Sequence, residues 1–141
     1  MLSIVIPVYN EEETVSGAVK EIKRILTDER IAFEMVFVDD GSRDRSWQII
    51  CDEHQKDNRI KGVRFTRNFG KDAAIFAGLK HCKGDCAAVL DCDLQHPPEK
   101  LPEMYRLWDQ GFEVIEGVKS CRGREGVLHR TFANFFYTIM S

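Results

Sequence analysis

The sequence predicts an α/β domain built on a mostly parallel central sheet. Short β-rich apolar runs alternate with longer segments whose apolar residues recur at helical spacing. Strands alternating with helices of this length imply right-handed crossovers and parallel pairing. A third observation agrees. The clusters Tyr9-Asn10-Glu11, Asp39-Asp40, Arg67-Asn68 and Asp91–Gln95 each follow a predicted strand, and open α/β sheets hold ligands beyond the carboxyl ends of their strands.

Taken in order, Leu2–Tyr9 reads as the first strand, with Asn10 as N-cap for the next element. Val15, Ala18, Val19, Ile22, Ile25 and Leu26 then mark a helix with one buried face. Phe33–Val38 is a second strand, closing on Asp39-Asp40-Gly41-Ser42, and Trp47, Ile50, Cys51 and His54 mark a second helix. Ile60–Thr66 is a third strand. After Gly70 comes a helix whose small face, Ala73, Ala74, Ala77 and Gly78, suits close packing on a sheet. A fourth, buried strand runs through Cys86-Ala87-Ala88-Val89-Leu90 and ends at Asp91. Pro97-Pro98-Glu99 opens a helix carrying Leu101, Met104, Tyr105 and Trp108, with proline where a helix N-terminus tolerates it. Phe112–Val118 is expected as a fifth strand.

A chain of 141 residues is one domain's worth, with 43% hydrophobic and 30% charged residues, as in soluble globular proteins. Its net charge of −3 speaks against a nucleic-acid binder. Five cysteines without a Cys-x-x-Cys pair point to a reduced, cytoplasmic setting. There is no signal-peptide pattern at Met1 and no apolar run long enough to span a membrane. Leu128, Phe132, Phe135, Phe136 and Ile139 form a helical stripe still running at Ser141, which reads as a C-terminally truncated domain.

The most informative residues are Asp91 and Asp93, separated only by Cys92. Two carboxylates so close raise each other's pKa, and a divalent cation reverses that penalty. With Gln95 they offer hard oxygen donors suited to Mg²⁺ or Mn²⁺. Neither G-x-G-x-x-G nor G-x-x-x-x-G-K-[ST] occurs, so the usual backbone cradle for phosphates is missing. Acidic strand ends with a bound cation supply the alternative, because the metal bridges a diphosphate to the protein and neutralises it as a leaving group. Zinc held by His81, Cys82, Cys86, Cys92 and His96 would need spacings that match no structural pattern.

The segments Pro7-Val8-Tyr9-Asn10-Glu11, Asp39-Asp40-Gly41-Ser42, Arg67-Asn68-Phe69-Gly70-Lys71 and Asp91–Glu99 together resemble glycosyltransferase family 2. The likeness is greatest to its polyprenyl-phosphate transferases, the dolichyl-phosphate mannose synthases and undecaprenyl-phosphate glucosyltransferases. It implies a Rossmann-like GT-A nucleotide-sugar-binding domain, of which residues 1–141 would be the N-terminal donor-binding part. It further implies that Pro7, Tyr9 and Glu11, completed by Val38 and Asp40, line the base and ribose pocket, with Asp39 more structural. Asp91, Cys92 and Asp93 would lie along the diphosphate, and Asp93, Gln95 and Asp91 would hold the metal. Arg67, Asn68 and Lys71 would shape the diphosphate side. Two departures stand out: Cys92 where such enzymes often carry alanine, and Lys119 where they tend to place a phosphate-binding arginine. Lysine neutralises charge without arginine's bidentate fork. The family's acidic segment for the acceptor, and the membrane helices of the nearest subgroup, would lie past Ser141.

The expected activity is metal-dependent transfer of a hexose from a UDP- or GDP-linked donor to a polyprenyl phosphate, as in cell-envelope synthesis. Asp91 and Asp93 would be the catalytic residues. The expected location is the cytoplasm, or the cytoplasmic face of a membrane for a full-length protein. Lys119, Arg122, Arg124, His129 and Arg130 could attract an anionic lipid surface. A sugar hydroxyl is the alternative acceptor. A phosphoacceptor receiver domain would place its acidic pair after the first strand, whereas Asp39-Asp40 follows the second.

Overall fold

The structure, a computed structural model, describes residues 1–118. Four strands form one sheet: β1 (Leu2–Val8), β2 (Phe33–Asp39), β3 (Ile60–Arg64) and β4 (Cys86–Val89). Their order is β3-β2-β1-β4, and every pair is parallel. Helices α1 (Val15–Asp28), α2 (Ser46–Lys56) and α3 (Lys71–His81) make the crossovers; a 3-10 turn, Pro98–Lys100, leads into α4 (Leu101–Asp109).

β1 and β2 lie in the middle of the sheet, and all but Pro7 of their residues are buried. That is why both read as continuous apolar runs instead of alternating ones. On one face Ile4, Ile6, Met35 and Phe37 pack against Val15, Ile22 and Leu26 of α1, Ile50 of α2 and Leu101 of α4. On the other face Val36 and Val38 meet Ala74 of α3, with Val63 and Phe65 at the edge of that cluster. Helix α3 approaches closely because it is small there. A Cβ on Gly78 would stand 2.3 Å from Val5 Cγ1 and 3.1 Å from Val38 Cγ2.

Several expectations are corrected. Asn10 is not an N-cap. It adopts a left-handed conformation (φ 52°), and α1 starts five residues later, after Thr14. Its side chain instead accepts the Arg43 N–H at 2.9 Å, while its own N–H donates to Ser42 Oγ at 2.9 Å. β3 stops at Arg64 and β4 at Val89, both short of the predicted ends. β4 is not a buried strand either. Among the described residues it is an edge strand, with Ala87 and Val89 exposed. Phe112–Val118 is irregular, with Phe112, Val114 and Val118 exposed; none of it pairs with the sheet, and β propensity without a ladder partner does not make a strand. The basic stretch from Lys119 and the apolar stripe from Leu128 lie outside the described residues. No helix among those described is long and apolar enough to cross a membrane.

Candidate active site

The chain winds outward from β1 through β2 to β3, then crosses back to place β4 on the other side of β1. Parallel sheets open a crevice where the winding direction reverses. Here the reversal lies between β1 and β4, and a cleft of about 330 Å³ sits at that end of the sheet. β1 and the loop after it contribute Pro7, Val8, Tyr9 and Glu11; the end of β2 contributes Asp40. Asn68 and Gly70 come from the loop before α3 and Lys71 from its first residue, and Asp91, Cys92 and Asp93 from the loop after β4. Four chain segments far apart in sequence thus meet in one place.

The loops are tied together before any ligand arrives. Ser46 Oγ accepts the Glu11 N–H at 2.8 Å, and Asp44 Oδ2 accepts that of Glu12 at 3.1 Å. Both carboxylate oxygens of Asp40 accept backbone N–H groups, from Phe69 at 2.7 Å and Gly70 at 3.0 Å. Asp40 therefore holds the entry to α3 against the end of β2. Gly41 permits this approach. Its φ is +72°, and a Cβ there would lie 2.5 Å from the Arg67 carbonyl carbon. Asp39 is wholly buried; its Oδ1 accepts the Ser42 N–H, and Arg64 Nε stands 3.3 Å from Oδ2 without hydrogen-bonding geometry.

Across the cleft, Lys71 Nζ lies 2.6 Å from Asp91 Oδ1, and His96 Nε2 lies 4.0 Å from Oδ2. Asp93 is exposed, and its Oδ1 accepts the Gln95 N–H at 3.1 Å. The Thr14 hydroxyl stands 2.6 Å from Glu11 Oε2 and 3.4 Å from Cys92 Sγ, linking the first loop to the fourth. Burial, together with the negative charges of Glu11, Asp93 and Asp91, pushes the Cys92 thiol up to about 11 against the opposing effect of Thr14. It is a packed neutral thiol only 3% exposed.

Two residues expected at the site do not line the cleft. Val38 lies on the same face of the sheet as its register partner Pro7, but it is fully buried beneath α3 and does not reach the cleft lining. Gln95 follows a turn at Leu94, whose φ is 55°, and emerges exposed, outside the lining of the cleft. Lys119 lies outside the described residues. Reading residue types alone missed Thr14, Ser42 and Ser46, which act by holding backbone; a hydroxyl before each of two helices was the available signal.

Among the described residues no three His, Cys, Asp or Glu side chains come together as a metal cage. The donor set still suits a divalent cation carried with an anionic ligand. Four carboxylates and one ammonium line the cleft, and Mg²⁺-type ions are commonly held by one or two carboxylates plus substrate phosphates. Asp91 and Asp93 are the pair that fits.

This architecture recurs in solved structures. The S. aureus TarS 1-349 structure matches 77% of the chain and 32% of its own length, with a TM-score of 0.61 and 25% identity. The same protein has been solved with UDP-GlcNAc, at a TM-score of 0.59. Fold and site together define an α/β domain of the GT-A type. The family model for glycosyl transferase family 2 matches residues 3–139, and the chain belongs to that family. It is 39% identical over 139 residues to the uncharacterized glycosyltransferase YkcC of Bacillus subtilis, covering 99% of this chain and 43% of the relative. It is 37% identical over 138 residues to the bactoprenol glucosyl transferase of Shigella phage SfV, covering 98% and 45%. With the undecaprenyl-phosphate 4-deoxy-4-formamido-L-arabinose transferase of Edwardsiella ictaluri it shares 40% identity over 122 residues, covering 86% and 38%. The chain spans less than half the length of these curated relatives.

Proposed function

We propose that this chain is the donor-binding part of a glycosyltransferase that moves a hexose from a nucleoside diphosphate sugar to a polyprenyl phosphate. The observation that carries the reading is the meeting of Asp91 and Asp93 with Tyr9, Glu11 and Asp40 across one cleft at the point where the sheet reverses its winding. The names of the bactoprenol and undecaprenyl-phosphate relatives support the lipid acceptor. The UDP-GlcNAc complex of TarS supports a nucleotide-sugar donor.

In this reading the base and ribose lie against Pro7 and Tyr9, with Glu11 and Asp40 as the polar partners, and the diphosphate runs toward Asp91 and Asp93. A divalent cation on Asp91 and Asp93 would neutralise the charge that develops on the departing diphosphate. Asp40 keeps the start of α3 in place under the nucleotide. Cys92, between Asp91 and Asp93 in sequence, packs into the core beside Thr14 and adds no charge. A phosphate acceptor is already anionic, so attack on the anomeric carbon makes little demand on a protein base.

The test is calorimetric binding of UDP, GDP, UDP-glucose and GDP-mannose, with Mn²⁺ and with EDTA, to the wild-type chain and Asp93→Asn. Metal-dependent binding of one nucleotide is expected, lost in Asp93→Asn at unchanged circular dichroism. Failure of a folded wild-type chain to bind any of the four, with or without Mn²⁺, overturns the reading.

A further inference from the structure

We infer that Lys71 is a resident counter-ion of Asp91 that a divalent cation must displace, so that the cleft takes up cation and nucleoside diphosphate cooperatively. The inference rests on the proposed donor site and adds a coupling between its two ligands. Lys71 is the one cation among the described residues lining the cleft, facing four carboxylates, and its Nζ stands 2.6 Å from Asp91 Oδ1. It is also the first residue of α3, an 11-residue helix. A cation is disfavoured at that positive end of a helix unless an anion faces it. Asp91 is that anion in the free chain.

The contact is made to be exchanged. Lys71 is 57% exposed and Asp91 33% exposed, and exposed ion pairs of this kind are weak. The lysine is a point charge on a flexible stem, able to move to a new anion without the geometry an arginine fork would demand. An ammonium and a divalent cation cannot share the same carboxylate oxygen without strong repulsion, so either alone excludes the other. A diphosphate removes the conflict, because it offers Lys71 a second anion and leaves Asp91 to the metal. Linkage makes the effect reciprocal: diphosphate tightens the cation, and the cation tightens diphosphate by the same factor.

The experiment measures Mn²⁺ binding to the 141-residue chain by electron paramagnetic resonance of the free ion, first without nucleotide and then with saturating UDP or GDP. The chains compared are wild type, Lys71→Met, Asp91→Asn and the double variant. Lys71→Met should bind Mn²⁺ alone about two- to fivefold more tightly, the strength of an exposed ion pair, and the tightening of Mn²⁺ by nucleotide should shrink. In the Asp91→Asn background the Lys71 substitution should leave Mn²⁺ affinity unchanged, since the pair no longer exists. Unchanged or weaker Mn²⁺ binding by folded Lys71→Met overturns the inference, as does a Lys71 effect that persists without Asp91. If wild type binds no nucleotide even with Mn²⁺, the donor site itself fails, a result distinct from a failed Lys71 comparison.

Discussion

At the scale of single residues the site separates groups that face a ligand from groups that hold the scaffold. Asp91 and Asp93 are adjacent to the same thiol but differently engaged: Asp91 is paired with Lys71, while Asp93 is open to solvent. Cys92 between them belongs to the scaffold. Its thiol is raised to about 11 and is buried, so very little thiolate forms near neutral pH and access is closed. Thiol-reactive reagents should therefore leave Cys92 unmodified in the folded chain and modify it on denaturation; peptide mapping after alkylation reads this directly. Rapid labelling of Cys92 in the native state would contradict the packing described. That Tyr9, Glu11, Asp40, Asp91 and Asp93 gather at one edge of the sheet was legible from residue type and position after a strand. That Val38 and Gln95 stay outside the cleft lining was not legible, for a geometric reason. Helix α3 packs over Val38 in one case, and the chain takes a left-handed turn at Leu94 in the other.

At the scale of elements, α3 does the most to shape the cleft, since its first residues line it and its small face sets how near it sits to the sheet. Gly78 is the point of nearest approach. Alanine there gains roughly 1 kcal/mol of helix propensity over glycine, but its Cβ would press on Val5, which is fully buried and cannot move aside. Overpacking of this kind costs about 1–3 kcal/mol. Gly78→Ala should therefore be net destabilising or neutral despite its propensity, and Gly78→Val clearly destabilising, each read as a fall in urea midpoint. A stabilised Gly78→Val would show that α3 can lift freely from the sheet. The small stripe was visible as a pattern, and it indicated packing on a sheet. The same kind of pattern misled at Phe112–Val118, where a β-rich run finds no partner strand within the described residues.

At the scale of the whole molecule the two ends of the sheet have different tasks. The carboxyl ends carry the cleft; the amino ends carry a buried ionic cluster that ties the strands together. There Glu34 on β2 accepts Ser3 Oγ–H at 2.6 Å, the Lys83 N–H and the Lys61 ammonium. Burial alone would raise the Glu34 pKa, but these hydrogen bonds and the Lys61 charge outweigh it and lower it to about 2. A carboxylate depressed in the folded state adds stability above its ordinary pKa and loses it as pH falls through the folded value. The cluster should contribute roughly 2–3 kcal/mol at neutral pH, lost between about pH 4.5 and 2. Glu34→Gln should lower the denaturation midpoint at neutral pH and flatten the acid limb, while nucleotide binding at the far end of the sheet stays unchanged. An acid limb identical to wild type would remove Glu34 from this role. A nucleotide present at about 100 times its Kd should raise stability by about 2.7 kcal/mol in either chain.

By itself the sequence determined the alternation of strands and helices, the parallel class of the sheet and the acidic character of its ligand edge. These follow from local periodicity and from which residue types tolerate a strand end. Only the tertiary structure decided that β4 lies beside β1, which opens the cleft between them and places Asp91 and Asp93 opposite Tyr9 and Glu11. It alone paired Lys71 with Asp91, twenty residues apart in the chain, covered Val38 with α3 and left Gln95 exposed outside the cleft lining. Strand order and side-chain facing depend on which surfaces bury best against one another across the whole fold, and no local window of sequence contains that comparison.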